Sequence, residues 1–229
     1  MLKDFLDSLS LNDLNEGLVI LVNKPLNWTS FDIVKYIRKT LELNLKLKKI
    51  KVGHAGTLDP LATGLLIICI GNETKNIYKY QELNKTYSGT FKLGETTPSF
   101  DRETEVNQKF NVDHLSFELL KNVSQNFIGK SIQKPPIFSA LKKNGKRLYE
   151  YARVNKNIKI DSREIFINKF ELNNYNIPYV NFVIECSKGT YIRSIANDFG
   201  KKLKSGSFLY SLNRDSIGHF NLIDAYSVE

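Results

Sequence analysis

Acid, base or nucleophilic capacity is concentrated in one short stretch, Lys51 to Gly71, KVGHAGTLDPLATGLLIICIG. In the polar loop that forms its first half, the side chains with acid, base or nucleophilic capacity are His54 and Asp59. Asp59 precedes a proline in a polar loop that carries Gly53, Gly56 and Gly64, residues that let a backbone turn sharply and let another molecule approach closely. A carboxylate on a loop anchored by a rigid element is a common catalytic arrangement. Spacing alone leaves a second reading open, because Asp-Pro is also a frequent turn former and a single histidine is often a packing residue.

The elements that would position this loop are legible on both sides of it. Leu65 to Ile70 is an unbroken apolar run, which predicts a strand buried on both faces. Upstream, Gly17 to Lys24 reads as a strand ending in Lys24-Pro25. Thr29 and Ser30 then cap a helix whose apolar positions are Ile33, Val34, Ile37 and Leu41. Downstream, Asn72 is placed to cap a further helix, and Lys85 to Leu93 alternates as a half-buried strand with Tyr87, Phe91 and Leu93 on one face. Read from this pattern alone, Tyr87 is a core residue. Asp113 to Phe127 reads as a helix with Leu115, Leu119, Leu120 and Val123 inward.

The second half of the chain continues the mixture. Lys134 to Arg153 opens on Pro-Pro and contains Asn144-Gly145, a tight-turn signal flanked by Lys142, Lys143, Lys146 and Arg147 and followed by Tyr149 and Tyr151. Ile158 to Phe170 and Pro178 to Cys186 read as strands, and Gly189-Thr190 starts a helix with Ile192, Ile195, Ala196, Phe199 and Leu203 on its apolar side. Arg193 falls in the first turn, away from that stripe. Since a cation gains nothing from a helix N-terminus, it is expected to have an acidic partner or ligand elsewhere. Ser207 to Phe220 is a last strand-like stretch.

Composition narrows the function. A net charge of +9 over 229 residues favours a polyanionic partner, nucleic acid before anionic membrane. Lys46, Lys48, Lys49 and Lys51, just before the Asp59 loop, are candidates for RNA-backbone contact as well as for an ordinary solvated face. Two cysteines in apolar runs, Cys69 and Cys186, give no disulfide framework and suggest a reducing cytoplasm. The N-terminus lacks the pattern of a signal peptide, no stretch has the length of a membrane span, and three scattered histidines do not suggest a metal site.

GHAGTLDPLATGLL resembles the signature block of the TruB-type tRNA pseudouridine synthases, and the likeness continues from about Gly17 to Phe220 in motif order. The resemblance implies that Asp59 is the catalytic aspartate. It implies that Tyr87, in a K-x-Y context, stacks on the target base and serves in proton transfer, and that Arg193, in SKGTYIRS, pairs with Asp59. Leu212 would line the same pocket, and His54 would pack where flipped nucleotides leave the loop. Lys24 belongs to a segment similar to the family's K-P-x-G-x-[ST]-S, with Asn27 where glycine is usual. KPPIFSALKKNGKRLYEYAR, residues 134–153, matches a thumb-like segment in which Lys142, Lys143, Lys146 and Arg147 would grip RNA. Thr97-Pro98-Ser99-Phe100-Asp101 departs from the usual T-D-T-x-D but keeps its last acidic position.

The resemblance further implies an α+β pseudouridine synthase fold: a mixed, mainly antiparallel central sheet, flanking helices and a central active-site cleft. It implies a single catalytic domain over residues 1–229 without the C-terminal PUA domain of many relatives. The expected reaction is isomerisation of uridine to pseudouridine in the T-loop of tRNA, at position 55 (TΨC), by base flipping. That chemistry involves no redox change or external energy, so no cofactor and no metal are expected. The expected partner is the T-arm stem-loop, with no membrane, guide RNA or protein partner required, and the expected state is a cytoplasmic monomer. A non-catalytic tRNA-binding or folding factor using the same surface is the rival reading; a hydrolase built on His54 and Asp59 lacks a second carboxylate or oxyanion-hole motif.

Overall fold

The computed structural model describes residues 1–154, 156 and 158–228. The architecture is α+β, with helices flanking a mixed sheet, as the resemblance implies. The chain divides into two compact units, one of residues 1–88 and 212–229, the other of residues 89–211. The chain passes between them within two strands, Lys85–Leu93 and Ser207–Ile217.

In the first unit the strand order is Tyr226–Ser227, Leu18–Lys24, Ala62–Ile70, then this unit's parts of Ser207–Ile217 and Lys85–Leu93. Leu18–Lys24 pairs antiparallel with Ala62–Ile70, while Leu212 to Arg214 run parallel to Ala62 to Gly64. The apolar run at Leu65 is buried on both faces, as its sequence predicts: Leu66, Ile68 and Ile70 enter one core cluster, Leu65, Ile67 and Cys69 another. The period-2 alternation of a strand sends successive side chains to opposite faces, so only a strand covered on both sides tolerates this sequence. Burial pushes the Cys69 thiol up to about 12, so it behaves as a small apolar residue.

The Ser30–Asn44 helix starts where Thr29 caps it: Thr29 accepts from the Asp32 amide while the Asp32 carboxylate accepts from the Thr29 amide. Ile33, Val34, Ile37 and Leu41 are all buried, at the helical spacing read from the sequence. Asn72 differs from expectation. It caps no helix; its amide donates to the Asn15 carbonyl, and a 3-10 turn over Gly71–Asn76 precedes the helix Ile77–Glu82.

In the second unit the order runs from this unit's parts of Ser207–Ile217 and Lys85–Leu93 to Tyr179–Cys186, Arg163–Asn176 and Gly129–Gln133. Its core is an aromatic cluster of Phe91, Phe170, Phe182 and Phe199, with Phe91 stacked on Phe182 at 4.1 Å between centroids. The helix expected from Asp113 begins only at Phe117, because Ser116 takes the cap by accepting from the Leu119 amide. The strand expected to open at Ile158 opens at Arg163 and continues to Asn176, where Tyr179–Cys186 folds back on it. Helix Ile192–Lys202 buries its apolar stripe as expected. Among the described residues no helix is long and apolar enough to cross a membrane.

Candidate active site

The Asp59 loop is held at Gly56, Leu58 and Pro60, mainly by polar side chains that the fold has buried. Ser30, at the start of its helix, donates to the Leu58 carbonyl at 3.2 Å and accepts from the Leu58 amide at 2.8 Å. Lys24 is 0 % exposed, and its ammonium donates to the carbonyls of Pro25 at 2.8 Å, Trp28 at 2.7 Å and Pro60 at 3.5 Å. The Asn27 amide also donates to the Pro60 carbonyl, at 2.8 Å. Asn27 has φ +66°, a left-handed conformation that asparagine tolerates better than most residues, which explains how it stands where the family has glycine.

On the other side of the loop lies Arg214, 1 % exposed. Its Nε donates to the Leu65 carbonyl at 2.7 Å and its Nη2 to the Gly56 carbonyl at 3.1 Å. The strand carrying it comes so close to Gly64, at φ +106°, that a Cβ there would lie 2.4 Å from the Arg214 carbonyl oxygen. That is why the motif needs glycine at this point. Asp59 itself accepts from the Ala62 amide through its backbone carbonyl at 3.0 Å, closing the turn into the strand, and its side chain is half-buried.

These buried cations feel one another and the aspartate. Burial pulls the Lys24 pKa down to about 8, the Asp59 carboxylate opposes that shift, and the Arg214 charge reinforces it. His54 is held below its ordinary pKa, first by burial and then by Arg214, so it is neutral at physiological pH; its Nδ1 is buried with no hydrogen-bond partner among the described residues. Tyr87 is buried in the Lys85–Leu93 strand, and Leu212 is half-buried opposite Ala62. Lys24, His54, Asp59, Tyr87 and Leu212 thus all belong to the first unit.

Lys24 requires a correction. The RNA-binding role expected of it conflicts with an ammonium that has no surface and is occupied by three backbone carbonyls. The geometry makes it a positioning residue for the loop. Ser30 and Arg214 were not singled out for this site from the sequence. Arg214 sits in an ordinary-looking polar stretch, NRDS, and its partners are 149 and 158 residues away, so no local signal reveals it.

Arg193 belongs to the second unit and is 3 % exposed despite lying off the apolar stripe. What buries it is polar: Nη1 donates to the Phe138 carbonyl at 2.7 Å and to the Ser99 carbonyl at 3.4 Å, and Nε lies 3.5 Å from the Asp101 carboxylate. Asp101 supplies an acidic partner of the kind the sequence called for, and the altered Thr97–Asp101 loop is what presents it. Asp101 is also buried; its carboxylate accepts from the Glu103 amide at 2.9 Å, and its carbonyl accepts from Thr97 and Ser99 hydroxyls. Phe100 carries a φ of +65°, rare for an aromatic residue and held by this dense bonding.

The basic turn has a different character. Lys142–Lys143 and Lys146–Arg147 form a two-residue hairpin with both Asn144 and Gly145 at positive φ, as the Asn-Gly signal predicts. Lys142, Lys146 and Arg147 are exposed. Lys143 instead pairs with Asp161 at 2.8 Å and donates to the Lys159 carbonyl, and this bond lowers the Asp161 pKa. Among the described residues no group of three His, Cys, Asp or Glu side chains is arranged to hold a metal ion.

The architecture is that of the pseudouridine synthases. A chain of the crystal structure of a Cbf5-Nop10-Gar1 complex superposes with a TM-score of 0.71 and 25% identity, over 95% of this chain and 54% of that one. The structure of an H/ACA RNP bound to a substrate RNA containing 2′-deoxyuridine, 22% identical, shares the fold with a TM-score of 0.68, over 97% of this chain and 54% of that one. This chain therefore spans about half the length of these solved chains. Residues 41–192 match the TruB family pseudouridylate synthase (N terminal domain). Proteins named tRNA pseudouridine synthase B are 50% identical in Flavobacterium johnsoniae, over 93% of both chains, and 48% identical in Parabacteroides distasonis, over 92% of this chain and 89% of that protein. The chain belongs to the TruB family, and it is an isomerase of the pseudouridine synthase class.

Proposed function

We propose that this enzyme converts uridine to pseudouridine in tRNA, at the T-loop uridine of the TΨC sequence, with Asp59 as the catalytic residue. The observation that carries the reading is the anchoring of the Asp59 loop: Lys24, Ser30, Asn27 and Arg214 hold the backbone at Gly56, Leu58, Pro60 and Leu65 through hydrogen bonds, leaving Asp59 half-buried on a fixed support. Transition-state chemistry rewards such preorganisation, since a loosely held carboxylate must be ordered anew for each turnover.

The reaction breaks the bond between N1 of uracil and C1′ of ribose, turns the detached base, and forms a bond from C5 to C1′. The C5 proton is lost and N1 gains one, so atoms and electrons balance within the nucleotide. Asp59 serves this by attack on C1′, by attack on C6, or by abstraction of the C2′ proton. Arg193 pairs with that carboxylate and fixes its orientation, while Tyr87 and Leu212 flank the extruded uracil and Tyr87 assists proton transfer. His54, neutral in the folded protein, packs where the nucleotide leaves its stack. The segment 134–153 grips the RNA backbone through Lys142, Lys146 and Arg147, with Lys143 bracing the turn against Asp161. The chain acts as a single catalytic domain and as a monomer, without guide RNA or protein partner.

The decisive experiment uses the purified chain alone on an unmodified tRNA transcript and on the isolated T-arm hairpin, both carrying 5-tritiated uridine. Tritium release from both, with pseudouridine mapped to the T-loop, is the expected result. Reaction only with intact tRNA, or a product in another arm, overturns the assigned specificity.

A further inference from the structure

Phe31 is on the wrong side of its helix for packing. The buried positions of Ser30–Asn44 are Ser30, Ile33, Val34, Ile37 and Leu41, and Phe31 is 51 % exposed. The two other aromatic residues of this segment behave differently: Trp28 and Tyr36 pack on the first unit's core and meet edge to face at 6.2 Å. One turn along, Lys35 places its ammonium 5.0 Å from the Phe31 ring centroid and 3.8 Å from the Asp32 carboxylate. A cation held over an exposed ring gives a flat apolar face beside a positive charge, a combination suited to a base and its phosphate.

Position strengthens the case. Phe31 follows Ser30, whose hydroxyl is bonded to Leu58, the residue before Asp59. On the same segment Leu26 is 47 % exposed, and the neighbouring Asn27 amide is bonded to Pro60, the residue after Asp59. Two exposed apolar side chains therefore flank, along the chain, the residues that clamp the Asp59 loop from both sides. Single exposed apolar residues are common and need no explanation, but an aromatic ring paired with a cation on the support of a catalytic loop is a more specific arrangement.

We propose that Phe31 is a stacking platform for an unpaired nucleobase of the substrate RNA other than the one that reaches Asp59, and that Lys35 meets the adjoining phosphate. This rests on the RNA-modifying reading above. Stacking on an aromatic face accepts every base, so the platform favours an RNA whose neighbouring bases are already unstacked and contributes to selection of a folded loop over a duplex.

The test measures an unmodified tRNA transcript against wild type, Phe31→Ala, Phe31→Leu, Phe31→Trp and, as a control at the far end of the same helix, Leu43→Ala, a residue 68 % exposed. Phe31→Ala is expected to raise KM roughly tenfold with kcat changed less than about threefold, and Phe31→Trp to restore KM. Phe31→Leu should resemble Phe31→Ala, Leu43→Ala should match wild type, and all melting temperatures should agree. In a Trp28→Phe background, the tryptophan of Phe31→Trp should be quenched by the RNA, and Lys35→Gln should lower the salt slope of binding by up to about one, since the long, exposed contact of Lys35 with Asp32 is readily exchanged for a phosphate. An unchanged KM in Phe31→Ala, full rescue by Phe31→Leu, or absence of quenching overturns the proposal. If wild type makes no pseudouridine in this RNA, the functional reading fails by itself, and quenching still decides whether the ring meets a base.

Discussion

The Asp59 loop and the Lys142–Arg147 turn both carry candidate functional side chains on short connections, yet they are built in opposite ways. The loop is clamped by Lys24, Ser30 and Arg214, side chains with almost no exposure that spend their polar atoms on backbone carbonyls and amides. The turn stands on a two-residue hairpin, exposes three of its four cations, and is braced by one ion pair. Buried polar contacts cannot be exchanged for water, so the loop has one low-energy arrangement. Exposed cations are hydrated and mobile and lose little by rearranging. A reacting carboxylate benefits from the first design, and contact with a repetitive phosphate backbone benefits from the second.

The comparison can be broken at either end. The largest expected effect is Asp59→Asn, which keeps the size of the side chain but removes its basicity and nucleophilicity. Tritium release from 5-tritiated uridine in tRNA should fall on the order of a thousandfold or more, with RNA affinity and melting temperature nearly unchanged. Substantial remaining activity removes Asp59 from its assigned role.

Next comes Arg214→Met, which leaves the Leu65 and Gly56 carbonyls without their donors. A loss of about 2–4 kcal/mol by denaturant unfolding is expected, against less than about 0.5 kcal/mol for Lys142→Met. Equal losses would show that the loop is no more tightly built than the turn.

Lys24 gives a prediction with opposite signs in two measurements. Its native pKa of about 8 lies below the ordinary lysine value of 10.5, so the unfolded chain binds this proton more tightly. The resulting cost to stability is present at neutral pH and disappears as pH rises from about 8 through the unfolded value. Loss of the same proton removes the cation that tethers Pro25, Trp28 and Pro60. Activity should therefore decline above about pH 8 while the Lys24 contribution to stability improves, compared by pH–rate profiles and melting curves with Lys24→Met, which should lack this step. Parallel pH profiles in the two proteins would separate Lys24 from the loop.

The smallest effects are expected at the turn. Replacing Lys142, Lys146 and Arg147 with alanine should lower the slope of log K against log salt by up to about three, one for each phosphate contact, while the added Lys143→Ala should change the slope little because that cation is already paired with Asp161. An unaltered slope in the triple variant means the turn does not meet the RNA.

Much of this was legible in the chain itself. The alternation of Lys85–Leu93, the double-faced burial of Leu65 to Ile70, the Thr29 cap and the Asn144-Gly145 turn are all local patterns, set within a few residues by strand and helix periods and by turn chemistry. The Asp59 block is local too, and its glycines, histidine and Asp-Pro carry the family likeness without help from the fold. Element ends were less legible where two capping residues competed, as at Asp113 and Ser116.

What the tertiary structure alone decided is the use of the buried polar groups. Lys24 reads as an RNA-facing cation and is sealed inside. Lys143 reads like its three neighbours but is paired to Asp161, 18 residues away. Arg193 reads only as lying off the apolar stripe with a partner elsewhere, and the fold encloses it with Ser99, Phe138 and Asp101, while Arg214 carries no signal at all. The physical reason is common to the four. Whether a long cationic side chain meets water or backbone depends on which carbonyls and carboxylates the fold brings within hydrogen-bond reach, and apart from the Pro25 and Trp28 carbonyls of Lys24 those partners lie at separations over which sequence period conveys nothing.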